Sequence, residues 1–128
     1  MARVVAFIPD LLFGSRVQAD LLAGGNEVEL LGESMLVREA LSDTGAAVTS
    51  GSIVLVADLT DESFRSAELV ESLSAEGLLE GVRTLAFYSH VDVDARRRAE
   101  RVGFDLVVAR SRMARESAEL VSKLAQGD

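Results

Sequence analysis

Short, almost uninterrupted apolar runs alternate along the chain with segments in which apolar residues recur every three or four positions. The first pattern is typical of strands buried on both faces of a parallel sheet. The second is typical of helices with one buried stripe. The predicted strands are Arg3–Ile8, Asn26–Leu31, Ile53–Ala57, Val82–Tyr88 and Phe104–Ala109. The predicted helices are Leu11–Leu22, Ser34–Leu41, Asp61–Leu79, Asp94–Val102 and Met113–Leu124.

Proline and glycine residues that end strands and helices support these boundaries. Pro9 stops the first strand because it cannot donate to a sheet ladder. Gly24-Gly25 and Gly103 follow helical periodicity and predict helix ends, and the long third helix is expected to break near Gly77. The small, glycine-rich segment Asp43–Ser52 predicts a loop. The residues expected to face the core from the helices are Phe13, Val17, Leu21, Leu69, Val70, Leu73, Ala95, Ala99, Val102, Met113, Ser117, Leu120, Val121 and Leu124.

Five consecutive strand–helix units predict an α/β protein with helices on both faces of a parallel sheet. Because such crossovers are right-handed, the result is a three-layer α/β/α sandwich. Five units in 128 residues and 13.7 kDa favour the flavodoxin-like strand order 2-1-3-4-5 over a longer dinucleotide-binding fold. We therefore expect one domain over residues 1–128.

The composition excludes several kinds of functional site and disfavours several kinds of partner. The chain has no Cys, which excludes disulfides, thiolate metal sites and cysteine nucleophiles, and His90 is its one histidine. The net charge of −8 disfavours nucleic acid and anionic membranes as partners. No apolar run approaches the roughly 20 residues of a membrane span, and no signal peptide is visible, so we expect a soluble, cytoplasmic protein.

Polar side chains follow four of the predicted strands where each strand ends. Asp10 follows the first strand, Asp58 the third, Ser89 and His90 the fourth, and Arg110 and Ser111 the fifth. Solvent begins where a strand ends, so any one of these residues is unremarkable alone. Ligand sites in open parallel sheets form at the carboxyl edge, however, and all six residues are predicted to lie there.

At this edge the chain resembles the receiver domains of bacterial response regulators, over essentially its full length. Asp58, which closes IVLVAD, matches the phosphoacceptor aspartate of that family. Ser89, 31 positions later, matches the Ser or Thr that contacts the phosphoryl group, and Arg110, 52 positions after Asp58, falls where the family has a Lys. Asp10 lies near the position at which the family has a pair of acidic residues that bind Mg²⁺. The resemblance therefore implies that Asp10 and Asp58 are metal ligands.

Two further candidate binding residues accompany this set. His90, beside Ser89, could contact a phosphoryl group or a metal, although a lone His at the start of a loop is more often solvated. Ser111, beside Arg110, is a second candidate for binding a cofactor or a phosphoryl group.

The departures from the family pattern point to a degenerate receiver. Asp10 stands alone where the family has two adjacent acids. Arg110 replaces a Lys, so a planar guanidinium takes the place of a compact ammonium charge. Ser111 replaces the following Pro, and Val107 replaces the aromatic residue of the fifth strand that reports phosphorylation. These changes favour a non-enzymatic signalling or protein-interaction module with an impaired phosphoacceptor site.

Two alternatives stay open. In one, the chain is a working single-domain regulator: Asp58 accepts a phosphoryl group, Mg²⁺ neutralises the developing charge, and Ser89 and Arg110 bind the phosphoryl oxygens. The only activity would then be autophosphorylation. In the other, a flavodoxin-like pocket binds a small molecule or nucleotide, but the chain has neither GxGxxG nor GxxxxGK[ST].

The Arg-rich stretch of the fourth predicted helix is either a solvated face or a surface that docks partners. Receivers commonly associate through the fourth helix, fifth strand and fifth helix, which by resemblance span about Asp94–Leu124. Arg96, Arg97, Arg98 and Arg101 make this region basic in an otherwise acidic chain. We expect a protein partner or a second copy there, with a histidine kinase as a candidate partner.

Overall fold

The computed structural model, which describes residues 2–47 and 52–126, places five parallel strands in one sheet. The strands are β1 (Ala2–Phe7), β2 (Glu27–Leu31), β3 (Ser52–Asp58), β4 (Val82–Tyr88) and β5 (Leu106–Ala109). Their spatial order is β2-β1-β3-β4-β5, and every pairing is parallel. The predicted flavodoxin-like topology is confirmed.

Helices connect the strands and cover both faces of the sheet. They are α1 (Leu11–Ala23), α2 (Ser34–Ala47), α3 (Ser66–Ala75), α4 (Val93–Val102) and α5 (Arg110–Ala125), with a short 3₁₀ helix at Glu62–Phe64. None of the helices among the described residues is long and apolar enough to cross a membrane.

The strand residues divide between two cores because successive side chains of a strand point to opposite faces. Val4, Val54 and Phe87 pack with α1 and α5 on one face. Val5, Leu55 and Ala86 pack with α2, α3 and α4 on the other. The three layers are therefore held together by β1, β3 and β4, whose apolar runs are buried on both faces of the sheet.

Two predicted segments differ from the structure near the middle of the chain. The predicted loop Asp43–Ser52 is wrong over residues 43–47, where α2 continues to Ala47, and at Ser52, which begins β3; residues 48–51 lie outside the described part. Ala46 and Ala47 are strong helix formers, and one interior glycine costs a helix only about 1 kcal/mol. β5 also begins at Leu106, later than the predicted Phe104.

The predicted helix Asp61–Leu79 is broken near its start. Asp61 caps the 3₁₀ helix, and Arg65 then adopts a left-handed conformation (φ 55°, ψ 37°) before α3 begins at Ser66. A non-glycine residue at positive φ ends regular helical geometry, which explains the break. At the other end α3 stops at Ala75, close to the predicted break, and Gly77 has φ 76°.

Candidate functional site

Asp58 lies at the carboxyl edge of the sheet as the last residue of β3. Its neighbours on either side are the central strands β1 and β4, and it pairs with Phe87 in β4. The residue is only 1% exposed. A carboxylate in this position requires hydrogen-bond partners, because an unpaired buried charge is costly.

The main partner of Asp58 is Thr60, two residues later. Asp58 Oδ1 accepts hydrogen bonds from the Thr60 backbone N–H (2.8 Å) and from the Thr60 hydroxyl (2.6 Å). The Asp58 carbonyl oxygen accepts a third bond, from the Ser66 hydroxyl (2.5 Å). Asp58 therefore closes an Asx-type turn that leads the chain out of β3.

Burial raises the pKa of Asp58 above its ordinary value, and this desolvation is the largest influence on it. The two hydrogen bonds from Thr60 act in the opposite direction, because they stabilise the ionised carboxylate. The negative charge of Asp10 raises the pKa further, and the positive charge of Arg110 lowers it. Asp10, Asp58 and Arg110 are thus close enough for their charges to interact.

Asp10 is the N-cap residue of α1. Its Oδ1 accepts hydrogen bonds from the backbone N–H groups of Leu12 (3.1 Å) and Phe13 (3.2 Å). These are donors that have no partner within the helix, so the side chain stabilises the first turn. The sequence-predicted metal ligand therefore has a structural role, although it remains exposed.

Arg110 directly follows β5, as predicted, and is the first residue of α5, which begins before the predicted Met113. Its guanidinium carbon lies 4.0 Å from the centroid of the Phe13 ring. That ring in turn packs against Phe87, with centroids 5.1 Å apart and planes inclined by 53°. A planar guanidinium stacks well on an aromatic face, which a Lys ammonium cannot do in the same way.

Ser89, His90 and Ser111 lie at the same edge but are not joined to Asp58 by any hydrogen bond between described residues. Ser89 follows β4, is half-buried, and accepts a bond from the Asp92 N–H at its carbonyl oxygen (2.8 Å). His90 is exposed in the turn before α4. Ser111 is exposed in the first turn of α5.

Asp10 and Asp58 would supply the one or two carboxylates that Mg²⁺ usually takes beside water and phosphate. Mg²⁺ requires near-octahedral oxygen coordination, and the carboxylates at this edge are Asp10 and Asp58, each with one oxygen already accepting two hydrogen bonds. Within residues 2–47 and 52–126, no group of three or more His, Cys, Asp or Glu side chains is arranged to hold a metal ion.

A groove beside this site, between the 3₁₀ helix, α3 and α4, is the nearest candidate for a small-molecule pocket. It has a volume of about 160 Å³, and Leu59, Ser66, Ala95 and Arg98 are among its lining residues. Pockets for drug-sized ligands usually measure roughly 300–1,000 Å³, so this groove is small for a nucleotide or flavin.

Three residues that shape the site were missed by reasoning from the sequence. Thr60 and Ser66 bond to Asp58, and Phe13 carries Arg110. The spacing Asp-x-Thr is a recognisable signal for an Asx-type turn. Phe13 was identified as a core residue, but nothing in the sequence indicated that its ring would also hold a cation.

The comparisons with known proteins rest on structure, because no protein-family model and no curated protein matches the sequence. The fold is similar to that of a CheY-like response regulator receiver domain protein from Methanospirillum hungatei JF-1 (TM-score 0.77, 14% identity, 99% of this chain and 95% of that one). This chain has the receiver-domain fold.

Two further solved structures share the receiver fold. Vibrio cholerae chemotaxis protein CheY4 matches with a TM-score of 0.73 and 18% identity, over 96% of this chain and 98% of that one. The receiver domain of the response regulator NarL from Mycobacterium tuberculosis matches with a TM-score of 0.66 and 19% identity, over 99% and 98%. At such identities the likeness concerns the fold, so the function of this receiver-type chain must be argued from its site.

Proposed function

We propose that this chain is a receiver-type protein-interaction module that works without phosphorylation of Asp58. The observation that carries the proposal is the state of the Asp58 side chain, which is buried and bonded to Thr60. The partners of such a module are proteins, and the chain itself is not an enzyme.

Burial and hydrogen bonding both oppose nucleophilic attack by Asp58. An attacking carboxylate must reach the phosphorus atom, but Asp58 is only 1% exposed. The two hydrogen bonds from Thr60 make Oδ1 a weaker nucleophile, because they draw on the lone pairs of that oxygen. Asp58 is therefore better suited to shaping the turn after β3 than to accepting a phosphoryl group.

The charges around Asp58 supply little compensation for an incoming phosphoryl group. Such a group brings negative charge next to Asp10 and Asp58, and stabilising it requires cations or oriented donors. The cation at this edge is Arg110, whose guanidinium is stacked on Phe13. Attack would have to proceed against the negative charge of Asp10, which already acts on Asp58.

The same three charges support a second candidate function, that of a working phosphoacceptor. Asp10, Asp58 and Arg110 influence one another electrostatically at the edge where the resemblance to receivers implies phosphoryl transfer. In this alternative an Asp58 carboxylate oxygen bonds to the phosphorus of a small phosphodonor or phosphohistidine, and the bond from phosphorus to the donor's leaving group breaks. The donor's leaving group takes up the displaced electron pair.

Intact-mass measurement after treatment with acetyl phosphate and Mg²⁺ separates the two functions. The interaction-module proposal predicts no added phosphoryl mass on the native chain. A gain of one phosphoryl group that is absent from Asp58→Asn would refute it. Thr60→Ala is a matched variant: if Thr60 helps to keep Asp58 unreactive, phosphorylation should appear or increase only when the Thr60 hydroxyl is removed.

The location of the partner surface on Asp94–Leu124 remains a prediction, as does a homodimer. Within that region Arg98 and Arg96 form ion pairs with acidic residues of the same chain. Arg97 and Arg101 are exposed on α4, and no ion pair joins either to another described residue. These two side chains are the ones that an acidic partner could contact without breaking an internal pair.

A further inference from the structure

Helix α1 carries apolar side chains on its solvent-facing side as well as on the side that packs against the sheet. Its buried residues include Phe13, Val17 and Leu21, which follow one another at one helical turn. Of the seven large apolar side chains that are exposed among the described residues, three lie on this one helix. They are Leu11 (71% exposed), Leu12 (88%) and Leu22 (51%). A surface helix normally has polar residues opposite its buried side, and α1 departs from that pattern.

The residues opposite the buried row of α1 form what we call the α1 outer face. Helical spacing places them on one side of the helix, and all of them are exposed. They are Leu11, Leu12, Ser15, Ala19, Leu22 and Ala23. None of the six is charged, the leucines lie at the two ends, and the central residues are small. Small central residues let a second helix approach closely, and exposed apolar side chains concentrated on one element indicate an interaction site.

One cation and one anion border the α1 outer face, and both are available to a second molecule. Arg16 and Asp20 are exposed and lie one helical turn apart. No ion pair joins either side chain to another described residue. An arginine four positions before an acid is the less favourable order for a pair within one helix, which explains why they stay apart.

The surroundings of the face have no excess of either sign. Asp10 lies at the start of α1, and the adjacent helix α5 exposes Arg115 and Glu119. A partner of strongly positive or strongly negative charge therefore gains little here. A partner that carries one cation and one anion in the matching positions gains two ion pairs, and a second copy of α1 is such a partner.

We propose that two copies of this chain pair through the α1 outer face, with the two helices antiparallel about a two-fold axis near Gln18. In a two-fold contact, residue i of one copy meets residue j of the other, and the reverse contact is identical. An axis near Gln18 places Arg16 of each copy opposite Asp20 of the other. The two charges that have no partner in the single chain are then both paired.

The apolar side chains also match in this arrangement. Leu12 at the start of one α1 lies against Leu22 and Ala23 at the end of the other, and the small Ser15 and Ala19 of both copies meet around the axis. The helix has 13 residues and a length of about 20 Å. One helix pair buries less than the ~800 Å² per partner of a standard interface. We therefore expect a reversible dimer with a micromolar Kd.

Other contacts satisfy the α1 outer face less well. An anionic membrane would meet a single bordering cation, Arg16, on a chain of net charge −8. Two copies that met through α4 would leave the α1 outer face exposed. They would also bring together Arg97 and Arg101 of both chains, which have no ion pair with a described residue. Pairing through α1 covers the apolar surface and pairs the charges beside it.

Sedimentation velocity of the full chain over a wide concentration range measures the pairing, and we expect a monomer–dimer equilibrium. Leu12→Ser with Leu22→Ser should weaken association by at least about tenfold, because the two-fold axis makes each leucine contact occur twice. Met35→Ser with Val91→Ser is the matched control. It removes two side chains that are 67% and 76% exposed outside α1, and it should leave association unchanged.

Charge reversal tests the antiparallel arrangement. Arg16→Asp brings like charges together across the axis, and so does Asp20→Arg, so each variant alone should dimerise less than the native chain. An equal mixture of the two variants should recover association, because each chain then meets the opposite charge in the other. Failure of the mixture to recover would overturn the proposed pairing of Arg16 with Asp20.

Three further results would overturn the proposal. One is a chain that stays monomeric throughout, and another is a dimer that Leu12→Ser with Leu22→Ser leaves intact but Arg101→Glu abolishes, which would place the contact on α4. The third is binding of the monomer to phosphatidylserine vesicles that Leu12→Ser with Leu22→Ser abolishes, which would show that a membrane covers the face.

This inference goes beyond the proposed function, because it does not depend on the state of Asp58. If the chain gains no phosphoryl group and stays monomeric, the pairing through α1 is wrong while the proposed function stands. If Asp58 is phosphorylated but association still depends on Leu12 and Leu22, the proposed function is wrong and the pairing stands.

Discussion

The two faces of the sheet hold their outer helices in different ways. On one face, α5 buries Met113, Ser117, Leu120, Val121 and Leu124 against the strands. On the other, α4 buries only Ala99, and Arg98 links it to Glu68 and Glu71 of α3. One helix is fixed by packing, whereas the other depends largely on its caps and on surface ion pairs.

The difference matters because the candidate site lies between these two helices. Arg110 begins α5 and is held on Phe13, which itself packs on Phe87, so its position is fixed by the well-packed face. The turn that carries Ser89 and His90 leads into α4, where few buried contacts resist movement. Regions with few buried contacts open at the lowest free-energy cost. We therefore expect the α4 side of the site to respond to salt and to partners, and the α5 side to stay fixed.

Removing the Phe13 ring should produce the largest effect. Phe13 is 5% exposed in the core of the packed face, so Phe13→Ala should lower the free energy of unfolding by about 3–5 kcal/mol. Phe13→Leu, which keeps apolar volume but removes the support for Arg110, should cost much less. Urea denaturation measures both, and a loss under about 1 kcal/mol for Phe13→Ala would show that this face is not held by packing.

Asp58→Asn tests the buried carboxylate through pH. Because burial raises the pKa of Asp58, the folded chain binds its proton more tightly than the unfolded chain does. The stability this confers is fully present below the unfolded value of about 3.9 and is lost as pH rises through the folded pKa. The Asn side chain can still accept the bonds from Thr60 but has no charge to bury.

Asp58→Asn should therefore be more stable than the native chain at neutral pH, and the difference should shrink as pH falls below about 4. Thermal unfolding across pH measures it, and the difference between the two proteins removes the contribution of other acids. A native chain that is the more stable of the two at neutral pH would contradict this account.

Ser117→Ala should stabilise the packed face slightly. Ser117 is 2% exposed, and its hydroxyl oxygen has no hydrogen-bond partner among the described residues. Removing a buried unpaired hydroxyl and placing Ala in a helix should raise the free energy of unfolding by about 0.5–1 kcal/mol. A loss of stability in chemical denaturation would mean that the hydroxyl is satisfied in solution.

Arg98→Gln should have the smallest effect on the free energy of unfolding, and its effect should be confined to α4. Its ion pairs lie at the surface, where such pairs contribute about 1 kcal/mol or less and are screened by salt. Amide exchange should accelerate in α4 and not in α5, and only at low salt. Arg97→Gln, on the same helix but outside these pairs, is the control, and equal acceleration in both variants would contradict a specific role for Arg98.

Reasoning from the sequence predicted the strand order and the buried faces of the helices well, since both follow from apolar periodicity. The buried residues of α5 and the buried position of Phe87 beside half-buried Tyr88 agree with the pattern. The break at Arg65 could not be predicted, because a non-glycine residue at positive φ has no composition signal. The continuation of α2 past Asp43 was missed because small residues and glycine suggested a loop.

The position of the candidate residues at one edge of the sheet could be predicted from the sequence, but their contacts could not. Asp10, Asp58 and Arg110 could be placed at one edge because parallel strands end together. Which atoms their side chains contact depends on residues distant in the sequence, such as Phe13 beneath Arg110, and on local turn geometry, such as Thr60 beside Asp58. Sequence spacing alone does not distinguish a carboxylate that awaits a phosphoryl group from one that closes a turn.

A calorimetric titration with beryllofluoride, a phosphoryl mimic, in the presence of Mg²⁺ tests the availability of Asp58 most directly. If Asp58 only stabilises the turn after β3, the native chain and Asp58→Asn should both give heats of dilution with no saturable binding. Saturable binding by the native chain that Asp58→Asn abolishes would contradict the account and establish Asp58 as a working phosphoacceptor.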